Sequence, residues 1–184
     1  TFRNLERGNV GTIACDTVIF SGDWIPDSEL ARKAGLAMDS GSKGPIIDAG
    51  YRTSRPGVFA AGNLLRGAET ADIAALEGRQ AAAAMHMYLG NGHWPEARIA
   101  IQHDNTIAWV VPSITSAAAR PVSERPMLFR VKAFYRNARV RVHQGDRLLH
   151  EQSFARLGPN YSFALANTWL DQVKVPGPEI TVSL

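Results

Sequence analysis

Gly62 and Asn63, followed within six residues by Arg66, Gly67, Ala68 and Glu69, are the part of this sequence whose residue types and spacing suit chemistry best. Gly62 ends the small-residue run "GVFAAG" (57–62), where backbone can approach a ligand closely and where a turn that no bulkier residue tolerates is allowed. Asn63 stands where its amide can bond a hydroxyl-bearing ligand. A helix opening near Gly67 would present unpaired backbone N–H groups, around Ala68 and Glu69, and the positive end of its dipole. That is a favourable partner for an electron-rich carbonyl or a reduced, anionic ring. Hydroxyls at the turn and a ring edge at the helix start are the outline of a flavin. Arg66 has two readings, a contact to the ring or to a substrate anion, and a surface arginine. Glu69 and Asp72, three apart on one helical face, could form a general-acid pair. Carboxylates in a first turn more often simply complement the dipole, and that is the expectation here.

Other reactive residue types offer less. The single cysteine, Cys15, excludes an internal disulfide or a paired-cysteine redox centre within this chain. Its apolar setting predicts a buried structural thiol. The five histidines (86, 93, 103, 143 and 150) show no metal-ligand spacing, so no metal is expected. Trp24 is read as a core anchor, and Trp94, Trp109 and Trp169 as anchors of a domain junction and a β core.

The elements that must position these residues change character near "GNGHWPEA" (90–97), where Gly, Asn and Pro end a helix and open a connection. Two domains are therefore expected, at 1–92 and 97–184. In the first, "TIACDTVIF" (12–20) reads as a buried strand, and "DSELARKAGLAM" (27–38) as a short helix capped by Asp27 or Ser28. "GPIIDAGYRTS" (44–54) suggests two short extended pieces, and "GVFAAG" a buried strand. From Gly67 to about Leu89 a long helix is predicted, with Ile73, Leu76, Gln80, Ala83, Ala84 and Met87 on one face.

In the second domain the period is two. Phe129, Val131 and Ala133 alternate with Arg130 and Lys132, and Val140 and Val142 with Arg139, Arg141 and His143. "QGDR" (144–147) reads as a tight hairpin turn, and "NTIAWVV" (105–111), "RLLHEQSF" (147–154), "YSFAL" (161–165) and "EITVSL" (179–184) as further strands. "NTWLDQV" (167–173) reads as a helical turn capped by Asn167. Six or seven short strands separated by turn residues are the count of a small Ig-like β-sandwich.

Composition bounds these readings. An apolar share of 45% and a charged share of 20% over 184 residues are those of a globular protein that can bury a core without staples. The net charge of +3 is asymmetric: residues 1–97 carry nine Lys/Arg against eleven Asp/Glu, and residues 98–184 eleven against six. The basic half lacks a stacking-aromatic motif, so a solvated sheet face is expected and not a nucleic-acid surface. No apolar run approaches roughly 18 residues, and the start lacks a signal peptide's apolar core, so a cytoplasmic protein without membrane contact is expected.

Three ordered segments resemble the pyridine nucleotide-disulfide oxidoreductase superfamily, in the broad sense that includes thioredoxin reductase-like and opine or sarcosine oxidase-like flavoproteins. "CDTVIFSGDWIPDSEL" (15–30) is similar to the strand that leaves the NAD(P)H-binding domain and re-enters the FAD domain, with Asp16, Gly22 and Pro26 on the pattern. "GPIIDAGYRTSRPGVFAAGN" (44–63) resembles the following hairpin and FAD strand, with Thr53, Gly57, Phe59, Ala60 and Gly62 matching. "RGAETA" (66–71) resembles the start of the helix under the flavin ring. The family has aspartate where this sequence has Asn63, so one negative charge beside the flavin is lost.

The resemblance implies an α/β fold, a partial FAD-binding Rossmann-like domain, at 1–92. It also implies FAD and NAD(P)H as cofactors of an oxidoreductase that passes hydride between NAD(P)H, or an amine-like substrate, and the flavin. Gly62, Asn63, Arg66, Gly67, Ala68 and Glu69 are then the cofactor-contacting residues; no acid, base or nucleophile is assigned. The family's glycine-rich fingerprints have no counterpart, since no G-x-G-x-x-G occurs. The chain is accordingly expected to be a C-terminal piece, inactive alone, whose partners are the missing N-terminal part, a small-molecule substrate and, in a homo-oligomer, further copies of itself. The alternative is a non-catalytic β-sandwich interaction or dimerisation module carried with a piece of a flavoprotein fold.

Overall fold

The computed structural model describes residues 2–3, 10–12, 14–19, 25–67, 69–96, 98–116 and 126–184. At the start, β1 (Phe2–Arg3) pairs antiparallel with β2 (Val10–Gly11). Residue 12 and residues 14–19 form no strand and are exposed, with Val18 and Ile19 among the most exposed large apolar side chains. This corrects the buried strand expected over 12–20: an apolar β-branched run becomes a strand only where a neighbour takes up its N–H and C=O groups, and none does among the described residues. Cys15 is exposed for the same reason, against the expectation of a buried thiol. Gly22 and Trp24 lie outside the described residues.

Helix α1 (Glu29–Lys33) is shorter than the 27–38 expected. Gly35 ends it at a φ of 70°. Ser28 occupies the N-cap position, but its hydroxyl donates to the Lys43 carbonyl instead of capping the helix. Residues 38–66 then form a tight set of turns joined by single bridges, Met38 to Pro45, Lys43 to Arg66 and Arg52 to Phe59. The buried strand expected over "GVFAAG" is therefore one bridge, at Phe59, with Ala60 buried behind it. No parallel sheet occurs among the described residues of this part.

Helix α2 (Ala71–Asn91) is the long element, closed by Gly92 in the left-handed conformation that favours glycine at this position. Its buried face overlaps only in part the one the apolar spacing suggests, at Ala84 and at the half-buried Ile73 and Gln80. Glu77, Ala81 and Ala84 are buried, whereas Leu76, Ala83 and Met87 are exposed. The alanines let the helix sit close to its neighbours, and a buried ion partner for Glu77 turns that side inward.

The remainder is mostly β: β3 (Arg98–His103), β4 (Ile107–Val111), β5 (Ile114–Ser116), β6 (Met127–Val131), β7 (Tyr135–Gln144), β8 (Arg147–Leu157), β9 (Phe163–Leu165) and β10 (Ile180–Ser183). They build two sheets that are not closed, one in the order β5-β3-β10-β7-β8 and one in the order β4-β6-β9. β10 runs parallel to β3 and antiparallel to β7. The alternation read in the sequence places Phe129, Val131, Val140 and Val142 in one core shared by both sheets, with Trp169 fully buried among them. The β7–β8 hairpin turns at Gly145, as "QGDR" predicts. β6 stops at Val131, so Ala133 is not part of its inward face. Residues 168–172 form a 3-10 turn (Thr168–Gln172) for which the Asn167 side chain provides no cap.

The two parts share a second core. Ile47, Tyr51, Ala60, Leu65 and Ala81 pack with Trp109 and Val111 of β4. The Ile47 carbonyl accepts from the Ser113 N–H at 3.1 Å, and Gly41 lies so close to β4 that a Cβ there would sit 2.1 Å from the Ala108 carbonyl oxygen. Trp94 packs edge-to-face on Phe59 and Tyr88, and the Arg98 guanidinium lies 5.6 Å from the Trp94 ring centre. Arg98 also donates to the Thr53 carbonyl at 2.7 Å. Burial lowers the Arg98 pKa, Asp48 opposes the shift and Arg52 adds to it.

Candidate functional site

Residues 61–71 lie between the turns of the first part and the start of α2. Gly62 opens a 3-10 turn (Gly62–Leu64) at a φ of 76°, the left-handed region that glycine occupies at no steric cost. The space beside it is not what demands glycine, since a Cβ would meet only the Ala74 methyl, at 3.8 Å. Its N–H donates to Glu77 Oε2 at 2.8 Å. Asn63 is exposed, and Gly67 is half-buried. Ala68 lies outside the described residues.

Arg66 departs from both sequence readings. It is 1% exposed, and its guanidinium is held by two carboxylates, Glu69 Oε1 at 3.2 Å from Nε, and Glu77 Oε1 at Nη2. Glu69 Oε1 also accepts from the Ser162 hydroxyl, in the loop before β9. A chain of polar contacts thus runs from the Gly62 N–H through Glu77, Arg66 and Glu69 to Ser162, tying the turn, the helix and the β part together. Arg66 is neither a surface residue nor a free cation for a ligand. The physical reason is that a guanidinium between two carboxylates has its charge compensated inside the protein.

Glu69 is drawn back to Arg66 at 3.2 Å, two residues before the first residue of α2. Helix α2 begins at Ala71, not at Gly67, and the Thr70 side chain provides no cap hydrogen bond. The helix start remains a place where backbone N–H groups and the positive dipole end meet solvent.

Glu77 is the functional-region residue that the sequence reading missed. A signal existed: Ile73, Glu77, Ala81, Ala84 and Tyr88 fall at helical spacing, with the carboxylate among small residues. Reading the small residues as the buried side would have placed Glu77 inside.

Beside this network, Asp48 Oδ1 accepts from the Gly50 and Arg52 N–H groups at 2.8 and 3.1 Å. Its Oδ2 is shut from solvent and lacks a hydrogen bond, although Arg52 Nε stands 3.1 Å away as an ion partner. This turn holds Tyr51 at a φ of 60°, a conformation uncommon for a bulky residue. A cavity of about 250 Å³ opens between this turn, α2 and the ends of β4 and β6.

Among the described residues, no group of three or more His, Cys, Asp or Glu could hold a metal ion, and no helix is long and apolar enough to cross a membrane. No solved structure matches the chain. Residues 2–78 match the family described as Pyridine nucleotide-disulphide oxidoreductase, whose members are FAD/NAD(P)-dependent oxidoreductases. The match takes in the Gly62–Asn63 turn, Arg66, Glu69 and the first turns of α2, and it stops before the β part. Within this chain, the likeness to the pyridine nucleotide-disulphide oxidoreductases is a property of residues 2–78, by a partial domain, and residues 79–184 are unassigned.

Proposed function

We propose that the chain is the C-terminal piece of an FAD-dependent, NAD(P)-linked oxidoreductase, and that it holds the ribityl and ring-edge part of the flavin. The observation that carries this reading is the left-handed Gly62 followed by the exposed Asn63, leading into a 21-residue helix whose start has no side-chain cap. These features fit the cofactor in two places. The Asn63 amide is free to meet a ribityl hydroxyl, and the first N–H groups of α2 can meet the electron-rich edge of the ring. The Arg66 and Glu69 side chains do not fit direct contact, because they are engaged with each other, with Glu77 and with Ser162. Their role is to position the Gly62 turn against the helix.

When bound, FAD supplies a hydride-accepting ring that links NAD(P)H, or an amine-like substrate, to the reaction. The pyrophosphate contacts come from a segment outside these 184 residues, since no G-x-G-x-x-G is present in them.

Flavin absorbance tests this reading. The chain joined to its upstream half retains FAD through gel filtration, and this chain alone does not. A joined protein that purifies without flavin and takes up none overturns the proposal. Asn63→Leu in the joined protein is expected to raise the FAD dissociation constant roughly tenfold, the loss of about one hydrogen bond to a ligand hydroxyl. Unchanged retention removes Asn63 from the site.

A second reading assigns residues 97–184 to an Ig-like sandwich that serves as an interaction or dimerisation module. Its support is the single core shared by two sheets, together with the exposed Phe134, Leu148 and Tyr161. Sedimentation of residues 97–184 by themselves tests the dimerisation form of this reading: a dimer supports it and a monomer counts against it.

A further inference from the structure

The cavity between the Asp48–Tyr51 turn, α2 and the β part belongs to neither reading above. Its walls are mainly apolar, with Ile47, Ile73, Val111, Leu128 and Leu170 contributed by both parts of the molecule. Of the residues that the sequence reading assigns to the cofactor it touches only Arg66, which is already bound to two carboxylates, and it meets the first turn of α2 through the Ile73 side chain. We propose that this cavity is a second small-molecule site, which takes a neutral aromatic or similarly flat apolar ligand of up to two fused rings.

Three observations define the ligand. The first is size. An apolar cavity of about 150 Å³ holds one benzene ring, so 250 Å³ accommodates a bicyclic compound. The second is charge. Asp48 is paired with Arg52, and Glu77 and Glu69 with Arg66, each carboxylate nearly sealed from solvent. An ionic ligand therefore loses its hydration without gaining a free counter-ion. Anions are the worst case, because these five side chains carry three negative charges against two positive. The third is backbone strain. Tyr51 lines the cavity in a left-handed conformation, held there by the Asp48 carboxylate and by its hydroxyl donating to Gln80 Oε1 at 2.6 Å. Such outliers persist where surrounding structure over-determines them, and they collect at binding sites. Here the strain keeps the phenol against helix α2, as one wall of the cavity.

The experiment is an NMR titration of the 184-residue protein with three probes of similar bulk: indole, benzoate and benzylamine. Saturable shifts of the Ile73, Val111 and Leu128 methyl groups are expected with indole. Benzoate and benzylamine are expected to bind about tenfold more weakly or worse, benzoate the weakest. Ile73→Phe, at a half-buried position on the cavity wall, is expected to weaken indole at least tenfold while leaving the rest of the spectrum in place. Leu128→Phe serves the same purpose if that variant does not fold. The proposal is overturned by absence of saturable shifts with indole, by either charged probe binding as tightly as indole, or by indole affinity unchanged in a folded cavity-filling variant. None of these outcomes depends on flavin, so the cofactor reading stands or falls separately.

Discussion

The two parts of this molecule bury different things. Around the Gly62 turn and α2, the interior holds Asp48, Arg66 and Glu77 along with Ser28, Ser42 and Thr53. In the β part, the buried polar side chains among the described residues are Thr115, Ser116 and Gln144, none of them charged, in a core of Val, Ile, Leu, Met, Phe and Trp. Regular ladders account for the second arrangement, because each strand passes its N–H and C=O groups to a neighbour and leaves only apolar side chains to pack. The first part has single bridges where ladders would be, and charged side chains satisfy its backbone and one another. The Gly62 N–H accordingly ends on Glu77, not on a strand. A region built this way is organised by a few specific contacts, so it can be disrupted by single changes and can also be rewired.

The sharpest break in the comparison is at the two centres. Trp169→Ala should cost about 3–5 kcal/mol in denaturant unfolding, the range for emptying a large aromatic site, because Trp169 is fully buried in the β core. No single second change nearby restores it. Glu77→Ala should cost a similar amount, about 3–5 kcal/mol, by leaving a buried guanidinium with one partner fewer. Here a rescue exists. The combined Arg66→Met, Glu69→Gln and Glu77→Leu protein should recover all but about 1 kcal/mol, the residue being the orphaned Gly62 N–H. A triple variant no more stable than Glu77→Ala refutes the view that the first part is held by compensated charge.

The smallest effect concerns pH. Asp104, at the β3–β4 turn, accepts from the Thr106 N–H at 2.8 Å, from the Thr106 hydroxyl, and from the Leu184 N–H at 3.0 Å. Burial pulls its carboxyl upward, but the hydrogen bonds from Thr106, Leu184 and Ile107 outweigh it and hold the pKa below the ordinary carboxylate value. A depressed folded pKa contributes stability that is full above the unfolded value, about 3.9, and is lost as pH falls through the lower folded value. The protection of the Leu184 amide, its exchange rate relative to the intrinsic rate at the same pH, should therefore fall only below about pH 4, and Asp104→Asn should remove most of that pH dependence. Protection that is lost at neutral pH contradicts this assignment.

The β part was legible in the sequence because a period of two is local: Val140 and Val142 point inward whatever lies across from them, and "QGDR" names its own hairpin. The shared second core and the parallel β3–β10 pair were not legible, since pairing between residues some 80 positions apart leaves no local signature. In the first part, local reading worked where backbone conformation decides, as at Gly62 and Gly92, although it ran a helix through Gly35, where α1 ends. It failed where a partner decides. The run over 12–20 has strand composition and no partner among the described residues, and α2 turns inward the side carrying Glu77 because Arg66 awaits it there. What the sequence by itself determined is thus the turn at Gly62, the existence of the long helix, and the inward faces of the strands. Only tertiary structure decided that Arg66 is a buried, doubly paired ion instead of a surface arginine. The enthalpy of a buried ion pair depends on distances that no spacing along the chain encodes.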